Sequence, residues 1–200
     1  MKLNRIALAV LIAAPLTVAV HAETTGLGVN ITPLVGAQGF DGESGPKIGL
    51  EGSTDFLFGL ALGYELTPSL SVEAQYNETR NEANIGAPAE VEGKARSLEG
   101  NFLVNSDIIT KDYSGRLKPY VLVGAGQQQL SYGPAKTTDT IVNLGLGAFY
   151  RFNEALALRV EGRGVQNVDH ELLDWKALTG LQVTLGGHKR PYVAPAPVEV

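Results

Sequence analysis

Between residues 56 and 66 the chain alternates strictly. Phe56, Phe58, Leu60, Leu62, Tyr64 and Leu66 form a large apolar set, and Leu57, Gly59, Ala61, Gly63 and Glu65 a set that is mostly small or charged. A period of two with unlike faces marks a β-strand. The division recurs at residues 70–77, where Leu70, Val72, Ala74 and Tyr76 oppose Ser71, Glu73, Gln75 and Asn77. At 97–105 Leu98, Phe102 and Val104 oppose Glu99, Asn101 and Asn105, and at 142–152 Val142, Leu144, Leu146 and Tyr150 oppose Asn143, Gly145, Gly147 and Arg151. At 156–165 Leu156, Leu158 and Val160 oppose Arg159, Glu161 and Arg163, and at 175–185 Trp175, Leu181, Val183 and Leu185 oppose Lys176, Gly180, Gln182 and Thr184. Residues 27–38 also read as a strand, with Val29, Ile31, Pro33 and Val35 opposite Asn30, Thr32, Leu34 and Gly36. Residues 120–132 read as extended, but their parity is mixed and leaves their faces unassigned.

A small soluble barrel needs its bulky side chains inside. Here the bulk lies on one face and the small, polar and charged residues on the other, so the bulky face calls for an apolar surrounding. Segments of roughly ten residues match the span of a tilted membrane strand. In hydrocarbon the backbone must be paired within the protein, which for strands requires closure. The pattern therefore predicts an all-β fold, an eight-stranded antiparallel up-and-down transmembrane β-barrel, expected to be monomeric. An even strand count puts both chain ends on one side. Tyr64, Tyr76, Tyr120, Tyr132, Tyr150, Phe152 and Trp175 fall near strand ends, where interfacial girdles are expected. Pro33 lacks the N–H that a ladder uses, and a closed barrel offers no edge, so a bulge is expected there.

The connections alternate as well. Residues 66–69 and 152–155 are tight turns, and 41–55, 79–94, 133–140 and 166–174 read as longer polar loops. Short turns inside and long loops outside is the outer-membrane arrangement. Residues 106–118 depart from it, with about a dozen residues where a short turn is expected.

The ends of the chain add a compartment. Lys2 and Arg5 precede an apolar run from Ile6 to Val20, and Val20-His21-Ala22 follows. That order is a secretory signal peptide, cleaved after Ala22. The run contains Pro15 and is short of the roughly 20 residues a spanning helix needs. The expected organisation is a leader at 1–22, a barrel at 23–187 and a Pro-rich periplasmic tail at 188–200. In that tail Ala194-Pro195-Ala196-Pro197 favours an extended linker. The formal charge is −5 over 200 residues, and loss of Lys2 and Arg5 makes it more negative still. An acidic chain without a basic face gives no reason to expect nucleic-acid binding. The absence of cysteine excludes a disulfide-stapled scaffold.

The candidate chemistry lies on the inner face. Glu65, Glu73, Glu99, Arg159, Glu161, Arg163 and Lys176 project there by parity, joined by Gln75, Asn101, Arg151 and Gln182. Eight strands leave an interior just wide enough for side chains, and a buried unpaired charge is costly. Arg159, Arg163 and Lys176 are therefore expected to bridge to Glu65, Glu73, Glu99 and Glu161. Such a network fills and fixes the barrel; rearranged, it would act as a gate for small solutes. His170, flanked by Asp169, Glu171 and Asp174, has no Ser or Asp partner at a recognisable catalytic spacing, and these acids lack the spacing of a calcium loop. No enzyme activity, cofactor or metal is expected.

Several stretches resemble the N-terminal barrel of the OmpA/OprF family. They are Gly-Leu-Ala-Leu-Gly-Tyr-Glu-Leu-Thr-Pro at 59–68, Gly100-Asn101-Phe102 followed by Ser106-Asp107-Ile108-Ile109-Thr110, Lys118-Pro119-Tyr120-Val121-Leu122-Val123-Gly124-Ala125-Gly126, and Ala177-Leu178-Thr179-Gly180-Leu181 with Leu185-Gly186-Gly187-His188. Each is common among barrels, but their order and spacing are specific, and the resemblance covers nearly the whole chain. It implies residence in the outer membrane of a Gram-negative cell among lipid and lipopolysaccharide, a structural role in envelope integrity, and weak, low-conductance porin activity for small solutes. The other role weighed is a surface adhesion module acting through the loops. Leu178, Gly180, Val183 and Leu185 are similar to the terminal-strand signal read by the outer-membrane assembly machinery, with Leu185 where an aromatic is more usual. Full-length family members carry a peptidoglycan-binding domain after a Pro-rich linker. Peptidoglycan is thus a partner only if the chain continues past Val200.

The leader is directly testable. The intact mass of protein extracted from outer membranes is expected to correspond to a chain beginning at Glu23, and a product retaining Met1 would refute the leader reading.

Overall fold

A computed structural model describes residues 28–39, 54–83, 91–110, 115–132, 135–153, 155–169 and 172–186. The leader, the Pro-rich tail, His170, Glu171 and residues 41–53 and 84–90 of the loops lie outside them. The described chain forms eight strands: β1 (Val29–Gly39), β2 (Thr54–Thr67), β3 (Leu70–Ala83), β4 (Val91–Asn105), β5 (Leu117–Tyr132), β6 (Ala135–Arg151), β7 (Leu156–Asn167) and β8 (Leu172–Leu185). Each pairs antiparallel with its neighbours in sequence, and β1 pairs with β8 to close the barrel. Val29 stands opposite both Tyr64 and Leu185 at the end that carries the chain termini, and Gly39 opposite Thr54 and Trp175 at the loop end.

The two faces follow parity. β7 alternates strictly between buried and exposed positions from Ala157 to Asn167. Leu144, Leu146, Leu98, Val160, Phe58 and Leu62 are among the exposed large apolar residues that make the outer belt. Aromatic residues edge it at both ends: Tyr64, Tyr150 and Phe152 by the termini, and Phe56, Phe58, Tyr76 and Trp175 by the loops. Such girdles suit rings with one apolar and one polar side at the membrane interfaces.

Several expectations need correction. Tyr120 is no girdle residue. It is 3% exposed and points into the lumen. The even positions of β5 face inward (Lys118, Tyr120, Leu122, Gly124, Gly126 and Gln128), and Leu117, Pro119, Val121, Val123 and Gln127 face out. Pro33 makes no bulge. Its partners to β2 run without a break, and the ladder to β8 skips Thr32 and Pro33 but resumes in unchanged register from Ile31↔Val183 to Leu34↔Gly180. One missing N–H removes a ladder bond without inserting a residue. The register shift occurs instead between Glu65 and Thr67, at the tight turn into β3. There the Thr67 hydroxyl accepts from the backbone N–H groups of Ser69 and Leu70.

The strands are also longer than their apolar belts. β6 begins at Ala135, inside the stretch expected to be loop, and β3 and β4 stay paired out to Ala83↔Val91. Polar residues on both faces end the membrane-facing pattern but not the backbone pairing, so these hairpins run on beyond the belt. The long connection after β4 contains a single helical turn, α1 (Asp107–Thr110). It is tied down by Ser106 N–H to the Pro119 carbonyl at 2.8 Å.

At the seam, backbone closeness demands glycine. A Cβ on Gly180 would collide with the Pro33 carbonyl oxygen and lie 2.7 Å from Leu34 Cδ2. On outward-facing Gly162 it would meet nothing within 4 Å. Gly180→Val should therefore destabilise the folded barrel by about 1–3 kcal/mol, while Gly162→Ala stays within about 0.5 kcal/mol. The checks are heat-modifiable gel mobility and urea unfolding in lipid vesicles. Equal behaviour of the two variants would remove the closure argument.

Candidate functional site: the ion-paired lumen

Alternation sends Glu73, Gln75 and Asn77 of β3, Ser97, Glu99 and Asn101 of β4, Arg159, Glu161 and Arg163 of β7, and Lys176 of β8 to the same interior. These positions meet across the barrel. Arg159, 0% exposed, is held on two sides. Its Nη1 and Nη2 grip the Glu73 carboxylate, Nη2 at 3.2 Å from Oε1. Its Nη2 and Nε donate to Glu161 Oε2 at 2.7 and 3.2 Å. The Tyr120 hydroxyl donates to the same Glu161 oxygen at 2.5 Å. Arg159 also lies over the Tyr120 and Phe149 rings, 5.6 and 5.7 Å from their centroids, and these rings stack on each other at 4.6 Å. A guanidinium suits this place because its planar fork serves two carboxylates and an aromatic face at once.

Arg163 continues the chain of charges. Its Nε bonds Glu161 Oε1, its Nη1 bonds Glu99 Oε2 at 3.0 Å, and its Nη2 bonds Gln75 Oε1. Lys176 Nζ donates to Glu99 Oε1 at 2.5 Å and to Ser97 Oγ at 3.3 Å. Neutral donors complete the acids: Asn77 and Asn143 donate to Glu99, and Asn101 to Glu73. Three carboxylates thus share three cations. Desolvation of each charge is expensive, and only multiple short contacts offset it.

Six of the seven charged residues expected in this network come together. Glu65 does not join them. It sits half-buried at the termini end, where Asn30 Nδ2 approaches its Oε1 at 3.5 Å. There it lines an open vestibule with Arg151, Gln182 and Thr184. Among the assembly-signal positions, Leu178 is buried and Gly180 half-buried toward the lumen, while Val183 and Leu185 are exposed on the outer face.

Sequence reasoning missed Tyr120 and a second buried pair. Lys118 of β5 bonds Asp107 of α1, each 2% exposed. The uniformly apolar odd positions from Leu117 to Ala125 were the available signal for the facing of β5. Nothing in the pattern placed Asp107, because α1 follows no strand parity. Apolar clusters share the remaining lumen with buried polar side chains such as Gln38, Thr79, Gln128, Asp139 and Asp174. Leu103, Tyr120, Leu122, Phe149 and Ala157 form one cluster, and Leu34, Leu57, Ala61 and Leu178 another on the β8–β1–β2 side.

A closed barrel with an apolar exterior and an ion-paired interior is a membrane-spanning β-barrel. The chain belongs to the outer membrane protein β-barrel domain family, whose model matches residues 6–188, and within it is of the OmpA/OprF type. Its residence is accordingly the outer membrane of Gram-negative bacteria. It is 43% identical to outer membrane protein Omp38 of Acinetobacter baumannii, in an alignment spanning all of this chain and 59% of Omp38. The chain thus spans about three fifths of the length of the curated relatives it matches. Among solved structures, Neisserial surface protein A superposes with a TM-score of 0.59 at 16% identity, covering 82% of this chain and all of that one. The N-terminal barrel of Pseudomonas aeruginosa OprF gives 0.54 at 20% identity, with the same coverage. At these identities the two structures establish the shared fold.

Removing one member of the network should cost far more than removing a pair. Arg159→Met removes the cation that grips Glu73 and shares Glu161, and is expected to lower stability by about 3–5 kcal/mol. Adding Glu73→Gln should recover part of that loss. Urea unfolding followed by fluorescence of Trp175, the single tryptophan, measures both. Strictly additive losses would show that the two residues do not act as a unit.

Proposed function

We propose that this barrel serves chiefly as a structural element of the outer membrane and admits small solutes slowly, through rearrangement of its lumen ion pairs. The observation that carries this reading is the continuous pairing of the central network. There Glu73, Glu99 and Glu161 are bridged by Arg159, Arg163 and Lys176, and apolar clusters and further buried polar side chains, among them Gln38, Asp139 and Asp174, pack above and beside it. A barrel so filled is stiff and mostly closed, which suits an envelope component better than a general pore. The vestibule lined by Glu65, Glu73, Arg151 and Gln182 brings solvent from the termini end up to Glu73. Passage beyond that point requires Arg159 to release Glu73, and Arg163 is the ready alternative partner, 3.9 Å from Glu73 Oε1. Exchange of partners, with no charge left alone, lowers the cost of opening.

The same reading gives β8 a part in biogenesis, with Leu178, Gly180, Val183 and Leu185 as the segment the assembly machinery engages. A role in holding the cell wall would belong to sequence equivalent to the part of Omp38 that this chain does not match.

Conductance in planar bilayers tests the gate. The native barrel is expected to show rare, small openings. Arg159→Ala and Glu73→Ala should each raise open probability several-fold, because either change deletes a closing contact. If both variants retain native conductance and native stability, the gate proposal fails.

A further inference from the structure

The vestibule at the termini end holds two charges that the central network does not use. Glu65, near the end of β2, and Arg151, at the end of β6, both line it. These strands stand four apart in a ring of eight, so the two side chains rise from opposite walls. The hydrogen bond described for the Glu65 carboxylate comes from Asn30 Nδ2, at 3.5 Å. Among the described residues, neither Glu65 nor Arg151 makes an ion pair, with the other or with a third group. Both charges therefore face the open space.

Acceptors and donors are sorted by wall. On the β2–β4 side stand Glu65, Ser71 and Asn105. Asn105 Nδ2 donates to the Pro68 carbonyl at 3.4 Å, and its Oδ1 is buried without a partner. A buried acceptor left unpaired is costly, and a donor from a bound molecule relieves it. On the other side Arg151 of β6 stands with Gln182 of β8. The Thr184 hydroxyl donates to Asn30 Oδ1 at 2.8 Å, which fixes that amide with its Nδ2 toward Glu65. Leu103, Phe149, Leu156 and Ala157 give the cavity an apolar side. With its open mouth included, the cavity holds about 540 Å³, within the about 300–1,000 Å³ typical of small-molecule sites.

We infer that this vestibule binds zwitterionic small molecules of the α-amino-acid class. The ammonium group, with three donors, sits between Glu65 and the Asn105 oxygen. The carboxylate meets Gln182 and the Arg151 guanidinium, whose planar fork matches two oxygens at once. An apolar side chain lies against Leu103, Phe149 and Leu156. A solute with a single charge satisfies one wall and leaves the other unmatched. Part-exposed charges bind weakly, which suits a solute that must also leave. The site is reached from the termini end with the ion pairs shut, so it does not depend on passage through the gate.

The test uses the refolded barrel in a non-ionic detergent and follows the backbone amide NMR shifts of Ser71 and Gln182 during titration. Three probes separate the charges: leucine, leucinamide, which lacks the carboxylate, and N-acetylleucine, which lacks the ammonium group. The native barrel is expected to bind leucine about fivefold more tightly than either derivative, the worth of one part-exposed ion pair. Glu65→Gln should abolish the preference for leucine over N-acetylleucine and keep that over leucinamide. Arg151→Gln should do the reverse. A merely structural role for either residue would weaken all three probes alike. Heat-modifiable mobility confirms that each variant folds. Equal affinity of the native barrel for the three probes overturns the inference, and so does an unchanged preference in either folded variant. Selective leucine binding by a barrel that shows no conductance supports the site while refuting the gate.

Discussion

Everything in this molecule depends on the requirement that no backbone group face hydrocarbon unpaired. A sheet meets that requirement only by closing on itself, and here closure is made between β1 and β8, from Val29↔Leu185 to Gly39↔Trp175. Closure then dictates the rest. It turns one face of every strand toward lipid and the other into a narrow interior. It makes an even strand count bring the chain ends together. It also sets the demands at the seam, where Gly180 and Gly36 pass so near the opposing backbone, at Pro33 and Ala177, that a side chain has no room.

A closed interior of eight strands has to be filled, and the filling explains why the lumen is charged without being an open pore. Small residues such as Gly124, Gly126 and Gly145 would leave space. Long polar side chains reach across it instead, and Arg159 on β7 spans to Glu73 on β3. Such reach brings charge with it, and buried charge brings the need for partners. The network is therefore continuous. Glu161 is shared by Arg159 and Arg163, and Glu99 by Arg163 and Lys176. No member can move without a second one moving.

The sequence was legible wherever the two faces differ chemically. β7 reads correctly residue by residue because Arg159, Glu161 and Arg163 alternate with Leu158, Val160, Gly162 and Gly164. β5 was recognised as a strand but not oriented, since Leu122, Gly124 and Gly126 face inward and carry no polar mark. Tyr120 fails for a related reason. An aromatic near a strand end suits a girdle or a lumen equally, and the difference lies in Phe149 and Glu161, which are remote in sequence. Parity put Glu65 on the inner face, but it could not say that Glu65, two residues from the end of β2, stands at the mouth, away from the cations of the central network. Strand ends were misplaced because polarity marks where the membrane stops, and β6 continues past that point to Ala135.

The barrel is also lopsided, and the asymmetry runs through both surfaces. Inside, Leu34, Leu57, Ala61 and Leu178 pack on the β8–β1–β2 wall, while the acids Glu73 and Glu99 stand on β3 and β4. The central ion pairs accordingly lie toward β3, β4 and β7, with Lys176 of β8 reaching Glu99. Outside, at the loop end, the cations Lys94, Arg96 and Lys136 stand on β4 and β6, and Phe56, Phe58 and Trp175 on β2 and β8. β4 takes part in both arrangements, with Glu99 turned inward three residues from Arg96 turned outward. Period two keeps the two sets of charges on opposite sides of one backbone. A shift of β4 that loosens Glu99 from Arg163 must also move Arg96 against the membrane interface, so the lipid boundary and the lumen bear on the same strand.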